Sequence, residues 1–140
     1  MSMIRHSARL ATIAATMAGL CLTAIHPVSA ASGETRLKAS MTSGAASGAA
    51  DYRERAGNRR LNVQAEDLRN TTPTSLGVYV NTATQVGTMP LEPCLTAPTL
   101  LCGEMELNTK DGQNVPPLKA GDIISIGTSP TQSVLAGALR

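Results

Sequence analysis

One stretch decides the fold prediction: Leu118-Lys-Ala-Gly-Asp-Ile-Ile-Ser-Ile-Gly-Thr-Ser-Pro130. Gly121-Asp122 predicts a tight turn, and the three isoleucines within residues 123–126 predict a short buried strand after it. Gly127 and Thr128 stand where that strand ends, so a backbone and a hydroxyl could approach a ligand there. The alternative interpretation is a turn, a core strand and another turn that bind nothing.

Two further strand patterns precede this stretch. Residues 76–80, Leu-Gly-Val-Tyr-Val, alternate large aliphatic side chains with a glycine and a tyrosine. Residues 104–107, Glu-Met-Glu-Leu, alternate acidic and apolar side chains, and Lys-Asp-Gly at 110–112 then favours a turn. The chain has eight prolines, several of them between these strands, and these exclude long helices there. The sequence therefore predicts a mainly β fold, β-rich α+β, with its domain at residues 67–140.

The first thirty residues have the order of a secretory signal peptide. Arg5 and Arg9 precede sixteen uncharged residues, 10–25, and small residues follow up to Ala30. We predict cleavage after Ala30 and an exported protein, periplasmic or secreted, that meets the membrane only during export. The alternative is an uncleaved anchor, although sixteen residues fall short of the roughly 20 that span a bilayer.

Removal of residues 1–30 changes the chemistry that is available. The remaining 110 residues carry ten basic and ten acidic side chains, because two of the twelve basic residues leave with the signal. His6 and His26 leave too, which excludes Ser-His-Asp and Cys-His catalysis and zinc binding through imidazole. With two Tyr, no Phe and no Trp, the chain also lacks the aromatic surfaces that usually bind single-stranded nucleic acid, so we predict no nucleic-acid partner.

Residues 31–66 are predicted to be a flexible, disordered arm. Large aliphatic side chains are sparse there, and residues 39–50 are nearly all Ala, Ser, Gly and Thr. Four arginines cluster within 51–60, where a phosphate or anionic-lipid patch is one interpretation and a solvated, partly helical run is the preferred alternative. These arginines are Arg53, Arg55, Arg59 and Arg60.

Cys94 and Cys102 are the two cysteines that remain after processing. An exported chain with one pair of cysteines usually joins them, and so short a loop would stabilise the fold by roughly 2–3 kcal/mol. A redox pair, which normally has a closer spacing such as Cys-x-x-Cys, and a metal site built on the two thiols are the alternatives.

Glu104 and Glu106 form a second candidate site. On a strand both carboxylates would project from one face and could share a divalent cation. The alternative is the hydrated outer face of a half-buried strand, because a hard cation needs further ligands. Asp111 and Asp122 are candidates for that role by residue type only.

Residues 118–130 resemble the C-terminal segment of the fumarylacetoacetate hydrolase family, including its 2-keto-4-pentenoate hydratase branch. The shared pattern is Leu-x-x-Gly-Asp, two hydrophobic residues, x-x, and Gly-Thr. Residues 74–80 and 103–112 are similar to two earlier segments of that branch. The resemblance implies a fragment of a mixed β-roll, preceded by the signal helix and the arm, with Gly127 and Thr128 as contacts to substrate.

The resemblance also implies a function. It implies a truncated, homodimeric relative of Mg- or Mn-dependent hydratases and hydrolases, of the lyase type, that act on small 2-oxo acids. The family's acidic metal ligands and catalytic lysine have no counterpart here, so the resemblance assigns neither catalytic nor metal-binding residues. Two alternatives stay open: a small exported, disulfide-containing binding or structural protein without enzymatic activity, and a damaged reading frame that yields an unstable chain.

Overall fold

A computed structural model describes residues 33–70 and 73–140, so the predicted signal peptide and its helix lie outside the described residues. Eight strands and one short 3₁₀ turn, Thr109–Asp111, make up this part of the chain. The strands are β1 (Thr35–Ser43), β2 (Ala46–Arg55), β3 (Asn58–Arg69), β4 (Ser75–Val80), β5 (Thr84–Pro93), β6 (Leu100–Asn108), β7 (Ile123–Ser129) and β8 (Gln132–Ala138).

All eight strands belong to one antiparallel sheet with the order β1-β2-β3-β6-β5-β4-β7-β8. Its two ends meet. Lys38 of β1 and Arg140, just beyond β8, exchange both backbone hydrogen bonds, at N–O distances of 3.0 and 2.9 Å. Such reciprocal bonds are typical of an antiparallel pair. The sheet is therefore nearly closed, and the prediction of a mainly β fold is confirmed.

The inward face of the sheet holds the hydrophobic core. Side chains on a strand alternate between two faces, so every second residue points inward. In β1 the inward residues are Leu37, Ala39 and Met41, and in β3 they include Leu61 and Val63. The segment between β6 and β7 adds Val115 and Leu118. One continuous core therefore extends across all eight strands.

The predicted flexible arm is wrong, because residues 31–66 include β1, β2 and most of β3. The prediction counted large aliphatic side chains, whereas the core also contains Ala39 and Ala50, which are 4% and 2% exposed. Within 51–60 the chain forms a β-hairpin rather than a partly helical run. Its turn residues, Ala56 and Gly57, both have positive φ, as the tight turns of hairpins require.

The predicted domain boundary at 66/67 is also corrected. It falls inside β3, which pairs with β6 from Arg60 opposite Asn108 to Arg69 opposite Leu100. The boundary coincides only with a bulge between Ala65 and Leu68. Residues 35–66 and 67–140 therefore form one folding unit, because each supplies strands that the other needs.

Gly137 permits the close approach of β8 to β1. A Cβ at this position would lie 2.5 Å from the carbonyl oxygen of Ser40 and 2.9 Å from Cγ of Met41. Because one of these atoms belongs to the backbone, a side chain here could be accommodated only by moving the two strands apart.

We therefore predict that Gly137→Val destabilises the protein by ~1–3 kcal/mol through overpacking. Urea unfolding would measure the loss, and hydrogen exchange at the amides of Lys38 and Arg140 should accelerate. Ala136→Val, at the neighbouring exposed position, is the matched control and should change stability by less than about 0.5 kcal/mol. Equal stability of the two variants would contradict the assigned role of Gly137.

Candidate functional site

The outer face of β1, β2 and β3 carries a depression of about 380 Å³, which we call the arginine depression. Arg53 lies directly opposite Arg60 across the hairpin, and Asp51 lies between Lys38 and Asn62. The depression lies over small side chains such as that of Ala49, and longer side chains surround it. The functional groups that line it are Lys38, Arg53, Arg60, Asn62 and Gln64, together with Asp51.

Cations outnumber carboxylates in the arginine depression. Asp51 accepts from Nε of Arg53 at 3.0 Å and lies 3.8 Å from Nζ of Lys38, and it is the one acidic residue of the lining. The Lys38, Arg53 and Arg60 side chains are 76%, 46% and 49% exposed. Exposed ion pairs of this kind contribute little to stability. These side chains can therefore reorient toward a ligand at small cost to the fold.

The carboxylates Glu104 and Glu106 lie beside the depression on the outer face of β6. Glu104 accepts hydrogen bonds from the side-chain amides of Asn62, at 2.8 Å, and Gln64, at 3.2 Å, and these bonds lower the pKa of its carboxyl. Glu106 pairs with Arg60 at 2.8 Å. Both acids are exposed, as the hydrated-face interpretation expected.

No metal site is visible among the described residues, which contain no group of three or more His, Cys, Asp or Glu side chains placed to hold an ion. Asp111 and Asp122 do not lie on β6 with Glu104 and Glu106. Asp111 ends the 3₁₀ turn after β6, and Asp122 directly precedes β7. The structure therefore does not bring the four predicted acidic candidates together.

The four clustered arginines separate into different environments. Arg53 and Arg60 share the depression, whereas Arg55 lies at the end of the hairpin opposite Asn58. Arg59 is directed elsewhere: its amide donates to Oγ1 of Thr109 at 2.9 Å, and its Nε is buried without a hydrogen-bond partner among the described residues. The sequence cluster is thus one pair of arginines that lines the depression and two arginines that do not.

Tyr52 is the largest side chain of the core and lies beneath this region. Its hydroxyl donates to Oε2 of Glu54 at 2.7 Å. Burial, followed by this bond to a carboxylate, raises the pKa of Tyr52 to about 12. The phenol therefore stays protonated at neutral pH and anchors Glu54.

Asp122 of the Gly-Asp turn connects two loops. Its carboxylate accepts from the amide of Lys119 at 2.9 Å and from the side chain of Asn81 at 3.1 Å, and these bonds lower its pKa. Asn81 in turn accepts from the amide of Ile123 at 2.9 Å. Asp122 and Asn81 thus hold the β4–β5 turn against the start of β7.

Gly127 and Thr128, the predicted substrate contacts, lie at the β7–β8 hairpin. A Cβ at Gly127 would clash with the carbonyl oxygen of Gln132 and lie 2.7 Å from Cα of Ser133. The hydroxyl of Thr128 donates to Oε1 of Gln132 at 3.2 Å. Neither residue lines the arginine depression. Hairpin geometry accounts for both of them, and their contact with a substrate stays a prediction.

Cys94 and Cys102 form the predicted disulfide, with their Cα atoms 5.0 Å apart. The bond closes a loop between β5 and β6, and backbone hydrogen bonds from Cys94 to Leu100 and from Leu100 to Ala97 order that loop. The disulfide that the sequence predicted is therefore present.

Sequence reasoning missed Lys38, Asn62 and Gln64. All three fall in the segment that was predicted to be an arm. Their period-two alternation with Leu37, Leu61 and the other core residues of β1 and β3 is the signal that would have placed them on a common outer face.

No family model, curated protein or solved structure matches this chain. The resemblance to the fumarylacetoacetate hydrolase family therefore has no support from these comparisons and stays a prediction. Within residues 33–70 and 73–140, no helix has the length and apolar character needed to cross a membrane.

We predict that Asp122→Ala destabilises the protein by ~1–3 kcal/mol, because the Lys119 amide and the Asn81 side chain both lose their acceptor. The folded-state pKa of Asp122 is depressed, so its contribution is present at neutral pH and is lost as pH falls through that pKa. Urea unfolding at several pH values should show the gap between wild type and variant narrowing in acid. Asp111→Ala is the control, and an identical loss there would contradict this assignment.

Proposed function

We propose that the protein is a small exported, disulfide-stabilised binding protein, and that its arginine depression binds an acidic polysaccharide. Export is supported by the signal-peptide pattern of residues 1–30, and the Cys94–Cys102 bond is compatible with an oxidising compartment. The observation that carries the binding proposal is the arrangement of three cations and two side-chain amides around one open depression.

The residue types in the depression suit a ligand that has both carboxylates and hydroxyls. An arginine guanidinium can bind a carboxylate or sulfate through two parallel hydrogen bonds, and Arg53 and Arg60 stand side by side. Asn62, Gln64 and Ser40 offer donors and acceptors for sugar hydroxyls. Because the depression is open, it can bind a polymer at a point between its two ends. An enclosed pocket could bind only a chain end.

The charge balance supports modest, salt-dependent binding. The depression has an excess of positive charge, but Asp51 pairs with Lys38 and Arg53, and Glu106 pairs with Arg60. An incoming acidic group would compete with these carboxylates for Arg53 and Arg60. Exposed charges are screened by salt, so affinity should fall as ionic strength rises.

The catalytic hypothesis, a remodelled hydratase acting on 2-oxo acids, receives no specific support from the geometry. The residues that the resemblance singles out already have structural contacts: Gly127 accommodates the backbone of β8, and the hydroxyl of Thr128 donates to Gln132. Turnover of an acylpyruvate in the presence of Mg²⁺ or Mn²⁺ would revive that hypothesis.

We predict that the double variant Arg53→Gln/Arg60→Gln weakens binding of polygalacturonate by about tenfold or more, because two bidentate contacts are lost. Affinity electrophoresis at low and high salt would measure this, with dextran sulfate testing sulfate in place of carboxylate and neutral dextran giving the baseline. Both side chains are exposed, so the variant should remain folded.

The matched control removes two exposed cations elsewhere, in Lys110→Gln/Lys119→Gln. It should bind polygalacturonate like the wild type. Equal loss in both double variants would mean that overall charge, rather than the arginine depression, governs binding. Binding of wild type no stronger than to neutral dextran would refute the proposal.

Export has its own test. When the full chain is produced in a cell with a secretory pathway, we expect the mature protein to begin at Ala31 and to contain no free thiol. Mass spectrometry before and after reduction would measure both. A recovered chain that retains residues 1–30 and in which Cys94 and Cys102 are both reduced would contradict export.

A further inference from the structure

The disulfide loop borders a second concavity, of about 540 Å³, which we call the disulfide groove. Its apolar lining includes the exposed Pro90 and Pro93 and the Cys94–Cys102 bond itself. Leu95, at the start of the disulfide loop, also lines it and is fully exposed. Leu95 and the two exposed prolines together form a small apolar surface at the groove.

The loop that presents Leu95 is fixed before any partner arrives. The disulfide closes it, the amide of Cys94 donates to the carbonyl of Leu100 at 2.9 Å, and the amide of Leu100 donates to the carbonyl of Ala97 at the same distance. Binding through a loop that is already ordered costs less conformational entropy than binding through a flexible one. Leu95 can therefore act as a preorganised anchor.

The charges around the groove restrict the partner. Glu66, Glu92 and Glu104 line it, and its lining contains no Lys or Arg. Among the described residues neither Glu66 nor Glu92 has an ion-pair partner, whereas the cations of the arginine depression are paired. A positively charged segment would neutralise these carboxylates, while an anionic polymer or an anionic lipid surface would be repelled.

We propose that the disulfide groove docks an extended, basic segment of another protein, one that alternates aliphatic side chains with lysine or arginine. Aliphatic side chains of the segment pack against Leu95, the prolines and the disulfide. Its basic side chains pair with Glu66, Glu92 and Glu104. This surface is separate from the cations that bind the acidic polysaccharide, although Gln64 lines both concavities.

The test uses the full mature chain and a short, end-capped peptide of alternating lysine and leucine as the probe. Fluorescence anisotropy should show that the peptide binds, and that a matched glutamate–leucine peptide does not. Leu95→Ser and Glu92→Gln should each weaken binding by about tenfold. Ile123→Ser, which alters the other large exposed aliphatic side chain among the described residues, and Asp111→Asn are the matched controls and should bind like the wild type.

Three results would overturn the proposal: failure of the lysine–leucine peptide to bind, equal binding of the glutamate–leucine peptide, or equal loss in the control variants. A second copy of this chain is the competing occupant, since its arginine depression is cationic. Self-association that disappears in both Leu95→Ser and Arg53→Gln would show that a second copy of this chain occupies the groove. That result would overturn the proposal of a basic segment from another protein. Leu95→Ser should leave polygalacturonate binding unchanged, so failure here is distinguishable from failure of the proposed function.

Discussion

The structure depends on the closure of one sheet, where β1 meets the chain just beyond β8. Lys38 and Arg140 exchange one pair of backbone hydrogen bonds, which joins β1 to the chain just beyond β8. Closure requires the two strands to approach closely, and Gly137 leaves room for the backbone of Ser40. Ala39 of β1 and Ala50 of β2 are buried at inward positions, so alanine is sufficient as a core residue there.

Closure also determines what the outer face looks like. Because the inward positions take the large apolar side chains, the outward positions of neighbouring strands form rows of polar ones. One row runs from Lys38 through Asp51 and Asn62 to Glu106, and its charge changes from basic on β1 to acidic on β6. The arginine depression and the disulfide groove are the cationic and acidic parts of this one surface. A single alternating pattern thus positions both proposed binding regions.

The sequence predicted the elements whose signals are local. Residues 76–80, 104–107 and 123–126 are strands, and Gly112 ends its turn at a φ of 76°, as the glycine there suggested. The first three strands were missed because the prediction required large aliphatic side chains and gave too little weight to alternation. Burial of Ala39 and Ala50 follows from sheet closure, which no local pattern reports.

The candidate site was predictable only in part, for a similar reason. The arginine cluster was visible in the sequence, but its division into roles depends on the hairpin turn that places Arg53 opposite Arg60. The carboxylate that pairs with Arg60 is Glu106, on a strand 46 residues later. Contacts of that range arise from strand order, so composition and spacing could indicate a basic patch without identifying its partners.

The disulfide lies beside the shortest ladder between two strands of the sheet, which gives it a role beyond general stability. β5 pairs with β6 only from Leu91 to Pro93, while the rest of β5 pairs with β4. A joint with so few ladder hydrogen bonds would open more readily than the long pairs around it. The Cys94–Cys102 bond holds the two strands together beside that joint, and the same bond fixes the loop that carries Leu95. Reduction should therefore loosen the β5–β6 joint and the disulfide groove together, before the well-paired β2–β3 region responds.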